Sequence, residues 1–170
     1  GWDGAGLNFR TKLSNGDGTY TSVVDNERDS AGVHTYPTIT GDFDGNGETD
    51  FAFVGQNWSG PGLNIRTKFS NGDGTYQGQS HVLGDGSGVH QHPSLTGDFD
   101  GDGMTDIAFI GQGWDGAGLC VRSKLSNGDG TFRTTVTNLR DGSGVHTYPA
   151  LTGDFDGDGT SDIVFVGQNW

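Results

Sequence analysis

The acidic stretch Gly41–Asp50, GDFDGNGETD, returns as GDFDGDGMTD at Gly97–Asp106 and as GDFDGDGTSD at Gly153–Asp162, each copy starting 56 residues after the last. Trp2, Trp58, Trp114 and Trp170 keep the same step, and so do His34, His90 and His146. The 170 residues therefore divide into units 1–56, 57–112 and 113–168 with two residues over. A period of this size marks a repeat architecture, in which one unit cannot bury its apolar face alone and neighbours stack to make a continuous core. With 33 Gly and only 30% hydrophobic residues, each layer of that core must be thin.

Within a unit the chain reads as short strands between turns. Leu7 to Leu13 alternates apolar and polar residues, the period of a half-buried strand. Asn15-Gly16-Asp17-Gly18 is a hairpin turn rather than a metal loop, since it has too few carboxylates, and Tyr20 to Val24 returns. A longer polar loop leads to Gly32-Val33-His34-Thr35-Tyr36-Pro37, and the next strands follow at 38–43 and 50–54, with the acidic loop between them. Taking one contiguous set, strands A (38–43), B (50–54), C (63–69) and D (75–80) form a four-stranded antiparallel unit.

The expected fold is all-β, a β-propeller segment spanning 1–170, with four-stranded antiparallel blades. The order along the chain is CD, ABCD, ABCD, AB, so a third blade must join the N-terminal C and D strands to a C-terminal A–B pair. Propellers typically have four to eight blades. Three are too few to close, and a dimer of six blades is the expected ring; a fragment of a longer propeller is the rival reading.

Twelve of the 22 acids lie in the three acidic stretches, and the formal net charge is −13. No basic stripe is present to follow a phosphate backbone, which argues against nucleic acid as a partner. No apolar run is long enough to span a membrane, so membrane insertion is not expected. The lone Cys120 stands where Asn8 and Asn64 stand in the other units and leaves the compartment open.

Asp42, Asp44, Asn46 and Asp50 occupy positions 1, 3, 5 and 9 of a Gly-turned loop, and the backbone carbonyl of Glu48 adds an oxygen at position 7. The second loop repeats this with Asp98, Asp100, Asp102, Met104 and Asp106, and the third with Asp154, Asp156, Asp158, Thr160 and Asp162. Hard oxygen donors without His or Cys select Ca²⁺ over zinc or copper. The expected cofactor is calcium, bound weakly (~10⁻⁴ M, as in extracellular modules) in a β-hairpin. The plainer alternative is a polar turn without an ion.

Consecutive loops of an up-and-down blade alternate between its two ends. The B–C and D–A loops thus share the rim opposite the acidic loops. That rim gathers Gln56, Asn57, Trp58, Gln112, Trp114, His34, Tyr36, His90, His92, His146 and Tyr148. Aromatic faces beside amide and imidazole groups suit sugars, whose C–H faces stack while their hydroxyls take directed hydrogen bonds. Packing of the Trp residues between blades and fastening of the D–A loop by His are the competing readings. Arg10, Arg66 and Arg122, with Lys12, Lys68 and Lys124, read as inter-blade partners or solvated charges.

The GDFDGDGxxD loop followed by Asp-Ile-Ala-Phe-Ile-Gly resembles the calcium-bearing repeats of integrin-type (FG-GAP or VCBS) propellers. The wider unit, with Gly-Gln-Asn-Trp, Ser-Asn-Gly-Asp-Gly-Thr and Gly-Val-His-x-x-Pro, is similar to the Psathyrella velutina lectin type. That resemblance implies calcium in the A–B loops and N-acetylglucosamine-type or sialylated glycans held between blades. Lectins of this type have seven blades in one chain, and this sequence departs from them with three repeats. The expectation is a secreted, non-enzymatic, multivalent lectin: the units share His but no nucleophile beside it. A protein-binding propeller of integrin type and a piece of a secreted hydrolase or lyase are the alternatives.

Overall fold

The computed structural model describes residues 6–27, 35–85, 88–114, 116–142 and 144–168. Its strands are β1 (Leu7–Ser14), β2 (Tyr20–Glu27), β3 (Thr38–Gly41), β4 (Asp50–Gln56), β5 (Leu63–Ser70) and β6 (Tyr76–Val82). They continue with β7 (Ser94–Gly97), β8 (Asp106–Gln112), β9 (Leu119–Ser126), β10 (Phe132–Asn138), β11 (Ala150–Gly153) and β12 (Asp162–Phe165). The sheets are β1-β2, β3-β4-β5-β6, β7-β8-β9-β10 and β11-β12, and every pair within them is antiparallel. This all-β architecture of antiparallel four-stranded sheets is consistent with propeller blades, two of them whole and two halves. The first strand of each whole sheet is shorter than the sequence indicates, ending at Gly41 and Gly97, and the second runs on to Gln56 and Gln112.

The hairpin turns form for a local reason. In the second one, Asp73 Oδ1 accepts from the Thr75 N–H (2.9 Å) and the Thr75 hydroxyl (2.6 Å), while Asn71 N–H closes the turn on Thr75 O (3.1 Å). Asp17–Thr19 and Asp129–Thr131 repeat the arrangement. These bonds, the Thr hydroxyl first, hold the three carboxyls below the usual range.

The core lies between the sheets. Phe43, Val54, Leu63 and Ile65 of the first whole sheet and its acidic loop form one buried cluster with Ile107, Phe109 and Phe132 of the second. Phe43 is completely buried and meets Phe132 edge-on, with ring centroids 6.2 Å apart. Burying such a ring contributes about 2–3 kcal/mol. A second cluster, with Ala108, Ile110, Leu119 and Val121, packs Ile163 and Phe165 of the last half-sheet.

Charged residues also cross the junctions. Lys68 and Lys124 are fully buried, and their ammonium groups pair with Glu27 and Asp85 of the preceding unit. Burial drives Lys68 down to about 8, against the opposing pull of Asp25. For Lys68 and Lys124 the reading as inter-blade partners therefore holds, whereas Lys12 is exposed and donates to Ser22 within its own hairpin.

Candidate functional site

The acidic loops are built by their own backbone. Asp42 Oδ1 accepts from the N–H groups of Gly45 (2.8 Å) and Asn46 (3.0 Å), and Oδ2 from Gly47 (2.8 Å). Asp98 and Asp154 do the same in the other loops. The ninth-position carboxylate ties the loop to the sheet. Asp50 accepts from Phe43 N–H (2.9 Å) and from Ser70 N–H on β5 (2.8 Å), and Asp106 accepts from Phe99 (2.9 Å) and Ser126 (2.8 Å).

Three carboxylates converge in each loop. Oxygens of Asp42, Asp44 and Asp50 lie within 4.8 Å of one another, as do those of Asp98, Asp100 and Asp106 and those of Asp154, Asp156 and Asp162. The fifth-position side chains each spend one oxygen on the loop's own backbone. Asp102 Oδ1 takes the Met104 N–H (2.9 Å), Asp158 Oδ1 the Thr160 N–H (2.8 Å), and Asn46 Oδ1 the Glu48 N–H (2.7 Å).

Like charges so close are costly without a counter-ion. Burial pushes Asp106 up to about 6, and Asp100 and Asp102 add to it against the two backbone hydrogen bonds. Asp50 is raised by burial in the same way. Asp100 Oδ1 is buried with no hydrogen-bond partner among the described residues. An oxygen-rich, anionic donor set with a buried unpaired oxygen fits a hard divalent cation.

The loops are also stapled to one another. Thr105 N–H donates to Asp42 O (2.6 Å) and Asp42 N–H to Thr105 Oγ1 (3.0 Å); Ser161 and Asp98 repeat the exchange at 2.6 and 3.1 Å. A Cβ at Gly41 would stand 2.6 Å from Thr105 Cβ, so the motif's first glycine is needed for close approach of the next sheet.

On the opposite rim, Trp58 is half-buried. Tyr36 meets its ring edge-on at 4.6 Å, and the Arg66 guanidinium lies 5.9 Å from its centroid. Trp114 stands likewise between His92 (4.6 Å) and Arg122 (5.0 Å). Each indole occupies the space a Cβ would need at Gly55 or Gly111. This arrangement favours packing over ligand stacking for both Trp residues.

The D–A loops are fastened by glutamine rather than histidine. Gln56 Oε1 accepts from Gly88 N–H and Gln112 Oε1 from Gly144 N–H, each at 3.1 Å. Asn57 adopts a left-handed turn (φ 60°) and its Oδ1 accepts from Gly62 N–H. Nδ1 of His90 and of His146 is buried with no partner among the described residues. His34 lies outside the described residues. An open recess lies between the second whole sheet and the last half-sheet, walled by Pro93, Leu95, Ile110, His146, Tyr148 and Pro149. His92 lies beside it, its imidazole pushed down by burial and further by His146.

Sequence reasoning missed one pair of residues on this fold. Asp25 Oδ2 accepts from Tyr76 N–H (2.8 Å) across the first junction, and His81 Nδ1 accepts from Phe132 N–H (3.0 Å) across the next. Asp25 and His81 are equivalent positions of different chemistry, so the repeat conceals them; their shared 56-residue offset was the available signal.

Residues 98–165 match the model of the FG-GAP-like repeat. That segment runs from the second acidic loop to the end of β12, and the first unit repeats its loop and strand pattern. The match and the sheets together support a β-propeller built of repeats of the FG-GAP type. No curated protein and no solved structure gives a match. Among the described residues no helix is long and apolar enough to cross a membrane.

Proposed function

We propose that the protein is a secreted, non-enzymatic lectin whose acidic loops hold calcium and whose opposite rim binds N-acetylglucosamine-type glycans, sialylated ones included, between neighbouring sheets. The recess beside His146 and Tyr148 carries the reading. Its Pro, Leu and Ile walls offer an apolar surface to sugar C–H groups. The phenol and imidazole offer hydrogen bonds that fix orientation. One such recess per junction would give avidity for clustered glycans.

Calcium would be held by Asp42, Asp44 and Asp50 and their equivalents, with the backbone carbonyls of Glu48, Met104 and Thr160 and the fifth-position side chains as further oxygen donors. It would neutralise the converging carboxylates and stiffen the A–B hairpin. Sites of ~10⁻⁴ M affinity fill outside cells, which is the ground for a secreted location.

The test is titration calorimetry with N-acetylglucosamine in calcium, on the parent and on His146→Ala and Tyr148→Ala. Saturable heat in the parent, weakened in both variants, is the expected result. No heat at millimolar sugar would reject the lectin reading and favour an integrin-like protein-binding propeller.

A further inference from the structure

The second acidic loop has a cation of the protein's own beside it. Asp100 Oδ2 pairs with the Arg133 guanidinium, which reaches it from β10, the last strand of the same sheet. We infer that Arg133 is a built-in competitor for calcium at the second loop, lowering the affinity of that loop and leaving the other two untouched.

The strand places this side chain. Phe132, one residue earlier, is buried in the main core cluster, and its N–H is held by His81. Successive side chains of a strand point to opposite faces, so Arg133 leaves the core. At the equivalent positions the repeat carries Thr21 and Gln77. Both turn back onto their own hairpins: Thr21 Oγ1 donates to Asn15 Oδ1 (3.0 Å) and Gln77 Nε2 to Asn71 Oδ1 (2.8 Å). Neither brings a charge. Arg133 goes to the acidic loop instead.

Asp100 is bound differently from its equivalents. In the first and third loops the third-position carboxylate stays with its own backbone. Asp44 Oδ1 accepts from Asn46 N–H and Asp156 Oδ1 from Asp158 N–H, each at 3.2 Å. Asp100 accepts no such bond among the described residues; Oδ2 is on Arg133, and Oδ1 is left buried without a partner. The guanidinium thus offsets part of the charge that converges from Asp98, Asp100 and Asp106. Calcium affinity in oxygen-donor loops follows the charge count of the ligands. A positive group beside one ligand lowers that count and repels the incoming ion. A hydrogen bond to a ligating carboxylate also steadies it, which acts the other way. Arg133 is 54% exposed, so it holds Asp100 loosely and its charge decides the sign.

The inference rests on the calcium reading, and its test separates the two. Calcium is titrated into isotope-labelled protein while the N–H signals of Gly47, Gly103 and Gly159, the sixth residue of each loop, are followed. Arg133→Gln keeps a hydrogen-bond donor and removes the charge. It is expected to lower the Gly103 midpoint about threefold, the size an exposed pair supports, and to leave Gly47 and Gly159 where they were. Arg133→Ala is expected to do the same. Arg140→Gln makes the same charge change at an exposed residue beyond the other end of β10, and is expected to move none of the three. A Gly103 midpoint raised in Arg133→Ala and unchanged in Arg133→Gln would make the arginine a support for Asp100 and overturn the inference. So would a Gly103 midpoint that moves no more in Arg133→Gln than in Arg140→Gln. Shifts at none of the three glycines would reject calcium, and this inference with it.

Discussion

His81 Nδ1 accepts the backbone N–H of Phe132 at 3.0 Å, and so holds the last strand of one whole sheet to the last strand of the next. A protonated imidazole has no acceptor to offer. Burial lowers the His81 pKa, outweighing the opposite effect of Asp129. The folded state thus binds this proton less readily than the unfolded chain. The stabilisation is complete above the unfolded value near 6.5 and is lost as the pH falls through the lower folded value. His81→Asp places at this junction the group that Asp25 supplies at the preceding one. The drop in melting temperature between pH 7.5 and 5 is expected to shrink by an amount matching about 1 kcal/mol in the variant. Equal drops in parent and variant would remove the histidine from acid sensitivity.

Calcium removal should be read together with Asp100. At 100 times its Kd, an ion that binds only the folded state contributes about 2.7 kcal/mol per site. EDTA is accordingly expected to lower the melting temperature of the parent. Asp100→Asn removes one of three converging carboxylates. It is expected to melt at or above the parent in EDTA, where like-charge repulsion dominates, and below it in calcium. Its exposed pair with Arg133 contributes too little to reverse either sign. A shift between calcium and EDTA as large in the variant as in the parent would show that the second loop holds no ion.

Trp114→Ala is expected to act on stability. The indole packs against the main core cluster and fills the space above Gly111. Its loss should cost about 2–3 kcal/mol in denaturant unfolding, toward the low end of large core truncations because the ring is only half-buried. Sugar affinity measured on the remaining folded protein should change less than in Tyr148→Ala. The reverse order would return Trp114 to the ligand site.

Gly41→Ala is expected to destabilise by about 1–3 kcal/mol although the added group is one methyl. The methyl would collide with Thr105 of the next sheet, whose own N–H and hydroxyl are engaged with Asp42. Hydrogen exchange should show the loss at the junction, in faster exchange of Thr105 N–H. Protection unchanged at Thr105 would mean that the staple tolerates the methyl.

The repeat by itself determined which segments are strands, where the hairpins turn and which loops gather carboxylates. Each of these depends on residues a few positions apart: Asp73 with Thr75, or Asp42 with Gly47. Local hydrogen bonds and period-2 alternation are written in the sequence directly. Tertiary structure decided the roles at the junctions. Contacts there join different units, so one repeat position can carry Asp25 in one place and His81 in the next with the same geometry. It also set the Trp58 and Trp114 rings against Gly55 and Gly111 and placed His146 and Tyr148 at the recess. An aromatic ring serves as a wall or as a ligand platform according to which of its faces the neighbouring chain covers, and that depends on how sheets pack, which no spacing within a unit records.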